Sequence, residues 1–184
     1  HKNTSWDRAR FEVCAHKWAD LSEPGYGVAL MNDCKYGYDV HEGVMGLTLI
    51  KSGIFPNPDA DQGQHEFTYA LFPHQGDFRK GGVVREAYDL NCPMAWEKVQ
   101  GVYEDSFSML QIAEENVMAD TVKAAEDGNG IIVRLYETWG MRTKVHVNFP
   151  LVPDAAVTVC DCMENFSGAE NADLTRAQDG WNLP

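Results

Sequence analysis

Along most of the chain, apolar residues recur at every second position rather than at every third or fourth, which predicts strands with one covered face. In His65 to His74 this alternation sets Phe67, Tyr69 and Leu71 against Thr68, Ala70 and Phe72, a strand expected to have both faces partly covered. Gly130 to Glu137 is rich in β-branched residues and follows Asp127-Gly128-Asn129-Gly130, whose residues tolerate positive φ and favour a tight hairpin. Its expected partner is Asn116 to Ala125, although the Ala, Lys and Glu there would also suit a helix. Further strands are expected at Arg10 to Val13, Val28 to Met31, Val44 to Ile50, Ser106 to Ile112, Lys144 to Asn148 and Val157 to Cys162. The helical spacing i, i+3, i+4 is convincing only over Gly82 to Leu90, at Val84, Ala87 and Tyr88, before Asn91 and Pro93 stop it. Many short strands divided by Gly, Pro and Asp turns predict an all-β, mainly antiparallel sandwich with one short helix.

The chemistry lies in the loops of Gly27 to Gly76. Val28 and Leu30 precede, and Val44, Leu47 and Leu49 follow, the octet Asn32-Asp33-Cys34-Lys35-Tyr36-Gly37-Tyr38-Asp39. The octet reads as a loop presenting carboxylate, ammonium and phenol groups. A second polar loop, DADQG, runs from Asp59 to Gly63 and is followed by His65. Composition narrows the partners. A net charge of −13 would repel a polyphosphate backbone, so neither nucleic acid nor an anionic membrane is an expected partner. No run approaches the ~18 apolar residues of a membrane span, and the polar start HKNTSWDRAR lacks the features of a signal peptide. Cys14, Cys34, Cys92, Cys160 and Cys162 form an odd, scattered set without a disulfide-framework spacing, which fits a reducing, cytoplasmic compartment.

The octet, the DADQG loop, the HEFTYALFPH segment and the opening NTSWDRARFEV together resemble the C-terminal β-domain of glycoside hydrolase family 38, most of all its cytosolic, neutral α-mannosidases. The resemblance covers residues 2 to 162; the polar stretch 163–184 is expected to be a flexible tail or the start of an incomplete final part of the sheet. It implies an all-β supersandwich-like domain of a retaining enzyme that hydrolyses terminal α-mannose of oligosaccharides. It also implies that the nucleophile and the ligands of a divalent metal, zinc or cobalt, lie in an upstream catalytic α/β barrel of the same parent chain. No catalytic residue, metal ligand or cofactor is therefore expected in this chain, whose share would be scaffold and part of the pocket wall.

The residues matching the family motif are Asn32, Asp33, Lys35, Tyr36, Gly37, Asp59, Asp61, Gly63 and His65, and the candidates for pocket-wall or interdomain contact are the non-glycine residues of that set together with Gln62. Gln62 stands where Golgi and lysosomal members tend to carry Arg, so clamping by that position is not implied. Each candidate also has a plainer reading. Lys35 could pair with Asp33, Asp39 or a carboxylate elsewhere in the parent, Gly37 could supply a positive φ, and Tyr36 could pack beneath the loop. Asp59 and Asp61 would share a face if extended, but with 28 acidic residues in the chain such pairs arise everywhere. His65 and His74 bracket a strand and stand too far apart to share a metal. Cys160-Asp161-Cys162 lacks the second ligand pair that a zinc site wants. Two alternatives stay open: an independent carbohydrate-binding module using Trp6, Trp18, Tyr36, Tyr38 or Trp139 as stacking surfaces, and a homo-oligomer formed through open sheet edges.

Overall fold

The computed structural model describes residues 4–101, 105–166 and 173–184, and within them the side chains of Asp7 and Arg8 are left aside. The sequon Asn3-Thr4-Ser5 and the end of Asn165-Phe166-Ser167 thus fall partly outside the described residues. Among the described residues the fold is all-β with one short helix, α2 (Val83–Asn91), after a four-residue helical turn, α1 (Ser5–Arg8). Every strand pair among the described residues is antiparallel. Two compact units result, His1–Lys98 and Val99–Pro184.

The first unit holds β1 (Val13–Cys14), β2 (Trp18–Glu23), β3 (Tyr26–Asn32), β4 (Gly37–His41), β5 (Val44–Leu47), β6 (Tyr69–Gln75) and α2 (Val83–Asn91). One sheet has the order β1-β4-β5 and the other β2-β3-β6. In β3 the alternation aims Ala29 and Met31 at α2, where they meet Val83 and Ala87; Trp18, Ala70, Phe72, Phe78 and Leu90 complete that core. The helix is amphipathic at the expected spacing, starts after Gly82 in the left-handed region (φ 69°) and covers one face of this sheet. The other side of β6 turns Tyr69 and Leu71 outward, so this strand is covered on one face and not, as expected, on both.

A buried polar pair ties this sheet together. His74 Nε2 donates to Asp20 Oδ1 at 2.7 Å, with only 2% and 5% of the two side chains exposed. Glycine makes room for the ring: a Cβ at Gly27 would stand 2.4 Å from His74 Cε1, and one at Gly81 2.4 Å from Nδ1. Neither substitution would fit without displacing the imidazole.

The second unit holds β7 (Gln111–Ile112), β8 (Val117–Ala124), β9 (Ile131–Glu137), β10 (Val145–Asn148), β11 (Thr175–Arg176) and β12 (Trp181–Leu183), in sheets β11-β12-β10-β7 and β8-β9. Val117, Val145 and Val147 form its core with Leu110, Ile112, Leu135, Phe149, Trp181 and Leu183. The β8-β9 hairpin closes through Gly128 and Gly130 at positive φ, with Ala125 N–H donating to Gly130 O at 3.0 Å. So 117–124 is a strand, not a helix. Tertiary pairing carries several expected strands no further than their ends. Arg10 to Val13 yields only β1, Ser106 to Ile112 only β7, and Val157 to Cys162 only an isolated Cys160–Phe166 bridge. Conversely, β2 and β4 form where no strand was expected, and β12 of the polar C-terminal stretch pairs with β10.

Candidate functional site

The octet is shorter as a loop than its sequence suggests, because Asn32 ends β3 and Gly37 already begins β4. Only Asp33 to Tyr36 is loop. Asn32 is not a surface group: it is 1% exposed, and its Oδ1 accepts the N–H of Cys34 at 3.0 Å and of Lys35 at 2.5 Å while its Nδ2 donates to the Tyr38 hydroxyl. An amide so occupied has almost nothing left to offer a ligand. Tyr38, also 1% exposed, donates to Leu30 O at 3.4 Å, and burial raises its pKa, against which the Asn32 hydrogen bond works. It is a core residue. Gly37 does not adopt positive φ; it lies in β4 opposite Cys14 and accepts the Thr48 N–H at 2.9 Å.

The exposed part of the loop is anchored to the chain that enters β6. Both carboxylate oxygens of Asp33 accept the Thr68 N–H at 3.0 Å, and Asp33 N–H returns a bond to Thr68 O at 3.2 Å. The Cys34 thiol and the Thr68 N–H hold the Asp33 carboxyl below the usual range, while the same Asp33 contact, and then burial, push the Cys34 thiol up. Lys35 does not pair with Asp33 or Asp39; its Nζ lies 4.8 Å from the centre of the Phe67 ring, a cation–π contact. Tyr36 is 52% exposed and meets His16 edge-on at 5.0 Å rather than packing beneath the loop.

The second loop is a self-contained turn. Asp59 N–H donates to Asn57 Oδ1 at 3.0 Å, Gln62 Nε2 donates to Pro58 O and Asp59 Oδ1 at 3.3 Å each, and His65 Nε2 donates to Asp61 O at 2.7 Å. Asp61 takes a positive φ of 58°, so Asp59 and Asp61 are not the extended, same-face pair that simple alternation suggests. His65 connects this turn to the Phe67-Thr68 segment on which the first loop rests. The structure therefore brings Asp33 and Lys35 together with Phe67 and Thr68, and it keeps the hydrogen bonds of Asp59, Asp61, Gln62 and His65 within their own turn.

Elsewhere the polar chemistry serves local structure. Burial pushes the Glu137 carboxyl up, yet the N–H groups of Met141, Trp139 and Gly140 and the Asn116 amide together pull it below its ordinary range. Asp161 caps Met163 and Asn165 in the same manner. Of the possible stacking surfaces, Trp18 packs into the core against Phe78 at 5.2 Å and Tyr38 is buried, so neither is available as a platform. His146 is half-buried, opposite the valines, with Nδ1 at 2.9 Å from Asn182 Oδ1. All five cysteines are free, and among the described residues no group of three or more His, Cys, Asp or Glu could hold a metal ion. No helix of the described residues is long and apolar enough to cross a membrane.

The described residues thus form an antiparallel β-domain, with the candidate polar loops on its first unit. The model of the glycosyl hydrolases family 38 C-terminal domain matches residues 1–59, and that of the family 38 C-terminal beta sandwich domain matches residues 116–180. The chain belongs to glycosyl hydrolase family 38, as its C-terminal β-domain. It is 43% identical to Alpha-mannosidase 2C1 of Homo sapiens over 168 residues, which are 89% of this chain and 16% of that protein. Alpha-mannosidase G of Dictyostelium discoideum is 40% identical over 172 residues, 88% of this chain and 15% of the relative. The Alpha-mannosidase of Saccharomyces cerevisiae is 36% identical over 166 residues, 82% and 15% of the two chains. The chain thus spans about a sixth of the length of the curated relatives it matches. Its fold is shared with the crystal structure of an alpha-mannosidase from Enterococcus faecalis V583, at a TM-score of 0.71 and 18% identity, over 94% of this chain and 21% of that one.

Proposed function

We propose that this chain is the non-catalytic C-terminal domain of a cytoplasmic, retaining α-mannosidase that removes terminal α-mannose from oligosaccharides. Hydrolysis would be carried out by an upstream catalytic α/β barrel of the same parent polypeptide, which would also hold the divalent metal, zinc or cobalt. The described residues do not supply a donor set for that ion. What this chain contributes is scaffold and part of the wall of the sugar pocket. The observation that carries the reading is the loop that holds exposed Asp33 pinned to Thr68 and half-buried Lys35 over Phe67. A carboxylate fixed by backbone and an ammonium held over an aromatic ring are the groups that take up vicinal hydroxyls. The Asp59–His65 turn is the second element of that wall, through Asp59, Asp61, Gln62 and His65, while Tyr36 offers an exposed ring beside the first.

Two measurements test this. The 184-residue chain alone, with zinc or cobalt added, should leave an aryl α-mannoside unhydrolysed, and turnover by it would end the reading. In the parent polypeptide, Asp33→Asn and Lys35→Ala should raise KM for the mannoside several-fold with kcat little changed. Saturable binding of mannobiose by the isolated chain, followed by amide shifts at 33–36, would instead favour an independent carbohydrate-binding module.

A further inference from the structure

The loop Asp33–Tyr36 is pinned in front by Asp33 to Thr68, while its middle amides, those of Cys34 and Lys35, are held from behind. That support is a chain of two side-chain amides, Asn91 half-buried and Asn32 buried. Asn91, in the last turn of α2, donates through Nδ2 to Asn32 O at 2.9 Å and to Ala87 O at 2.8 Å. Asn32 N–H donates to Lys17 O at 2.9 Å, so the backbone at the end of β3 is held from both sides. The Asn32 side chain then reaches forward, accepting the amides of Cys34 and Lys35 and donating to the Tyr38 hydroxyl in β4. The orientation of that amide is dictated by its partners. Turned over, its NH2 would face two N–H donors, and the loop amides would lose their acceptor.

We propose that Asn91 and Tyr38, acting through Asn32, are positioning residues that fix the Asp33–Tyr36 loop and with it the placing of Asp33 and Lys35. None of the three touches the ligand; Asn32 and Tyr38 are too deeply buried to do so. The helix end thereby controls the loop from 59 residues away in sequence, through the Asn91–Asn32 bond. The part of this that concerns sugar rests on the reading of the loop as pocket wall.

The test separates the two. Hydrogen exchange of the 184-residue chain should show the Cys34 and Lys35 amides exchanging roughly fivefold faster in Asn91→Ala, as expected for one lost hydrogen bond. The β3–β6 ladder should be unchanged. Tyr38→Phe, which keeps the ring and removes only the hydroxyl, should loosen the same amides, and Asn91→Gln, which keeps a donor, should recover part of the protection. Alkylation at Cys34, read by mass spectrometry against Cys162, should speed up in step. In the parent polypeptide, Asn91→Ala should raise KM for an aryl α-mannoside several-fold and leave kcat within a factor of two. Unchanged exchange at Cys34 and Lys35, or exchange raised equally across β3 and β6, would overturn the proposal. So would a loosened loop with unaltered KM in an enzyme whose KM does respond to Lys35→Ala. If Lys35→Ala leaves KM alone while Asn91→Ala frees the loop, the positioning stands and the pocket-wall reading falls.

Discussion

Gly27→Ala offers a sharp test of the packing because its cost is almost purely steric. Gly27 lies in β3 without a positive φ, so alanine suits the backbone, yet the added methyl would meet His74 Cε1 at 2.4 Å, Ser22 Cβ at 2.6 Å and His74 Nε2 at 2.8 Å. The imidazole has little room to yield. It is bound to Asp20 at 2.7 Å, and Gly81 lies against its Nδ1 and Cγ so closely that a Cβ there would also clash. Overpacking of this kind costs about 1–3 kcal/mol. Losing the charge-assisted bond to a carboxylate left buried adds about 1.5–3 kcal/mol. Against this, replacing glycine stabilises by about 0.4–1 kcal/mol through the unfolded chain. A net loss of roughly 1.5–5.5 kcal/mol follows from those terms. Urea unfolding of the 184-residue chain, read by tryptophan fluorescence, should show it as a midpoint lowered by about 1–3 M. Gly25→Ala is the matched control: nothing lies within 4 Å of the added Cβ, so it should be neutral or mildly stabilising. If the two substitutions behave alike to within about 0.5 kcal/mol, the account of the His74 site is wrong.

Gly81→Ala should be destabilising for the same reason, and because both methyls displace one ring, the Gly27/Gly81 double change should fall short of the sum by at least about 0.5 kcal/mol in the same urea titration. Glu137 is held below its ordinary pKa, so the stability it contributes is present above the unfolded carboxyl pKa and is lost as pH falls through the lower folded value. Glu137→Gln should therefore flatten the acid limb of stability against pH below about 4.5, and an unchanged slope would count against the cage of amides around it. Asn32→Ala should destabilise by about 2–4 kcal/mol, since it strands the Cys34 and Lys35 amides and takes the donor away from Tyr38. A loss under about 0.5 kcal/mol by chemical denaturation would show that those bonds are not formed in solution.

How much of this was legible in the chain depends on how far each feature reaches. The β8-β9 hairpin could be read because its cause is local: Gly128 and Gly130 supply the positive φ values that close it. Helix α2 could be read because Val84 and Ala87 repeat at the helical period within a single element. The spaced loop motifs likewise point to family 38, since a family signature is carried by residue types at fixed separations. The expected strand over 157–162 failed for the opposite reason. Its alternation is real, but the strand pairing there among the described residues is an isolated bridge, Cys160 to Phe166.

The pattern of residues thus determined the fold class, the helix, the principal hairpin and the stretch of chain that carries the polar loops. Tertiary structure alone decided what the individual loop residues do. Asn32 and Asp33 are neighbours of similar shape and polarity, and nothing in their order says that one is buried and the other exposed. The difference arises because Asn32 meets Tyr38 six residues on and Asn91 fifty-nine residues on, while Asp33 meets Thr68 thirty-five residues on. A side chain's role is set by the donors and acceptors that other segments bring to it, and those contacts exist only once the sheets have paired and the helix has packed against them.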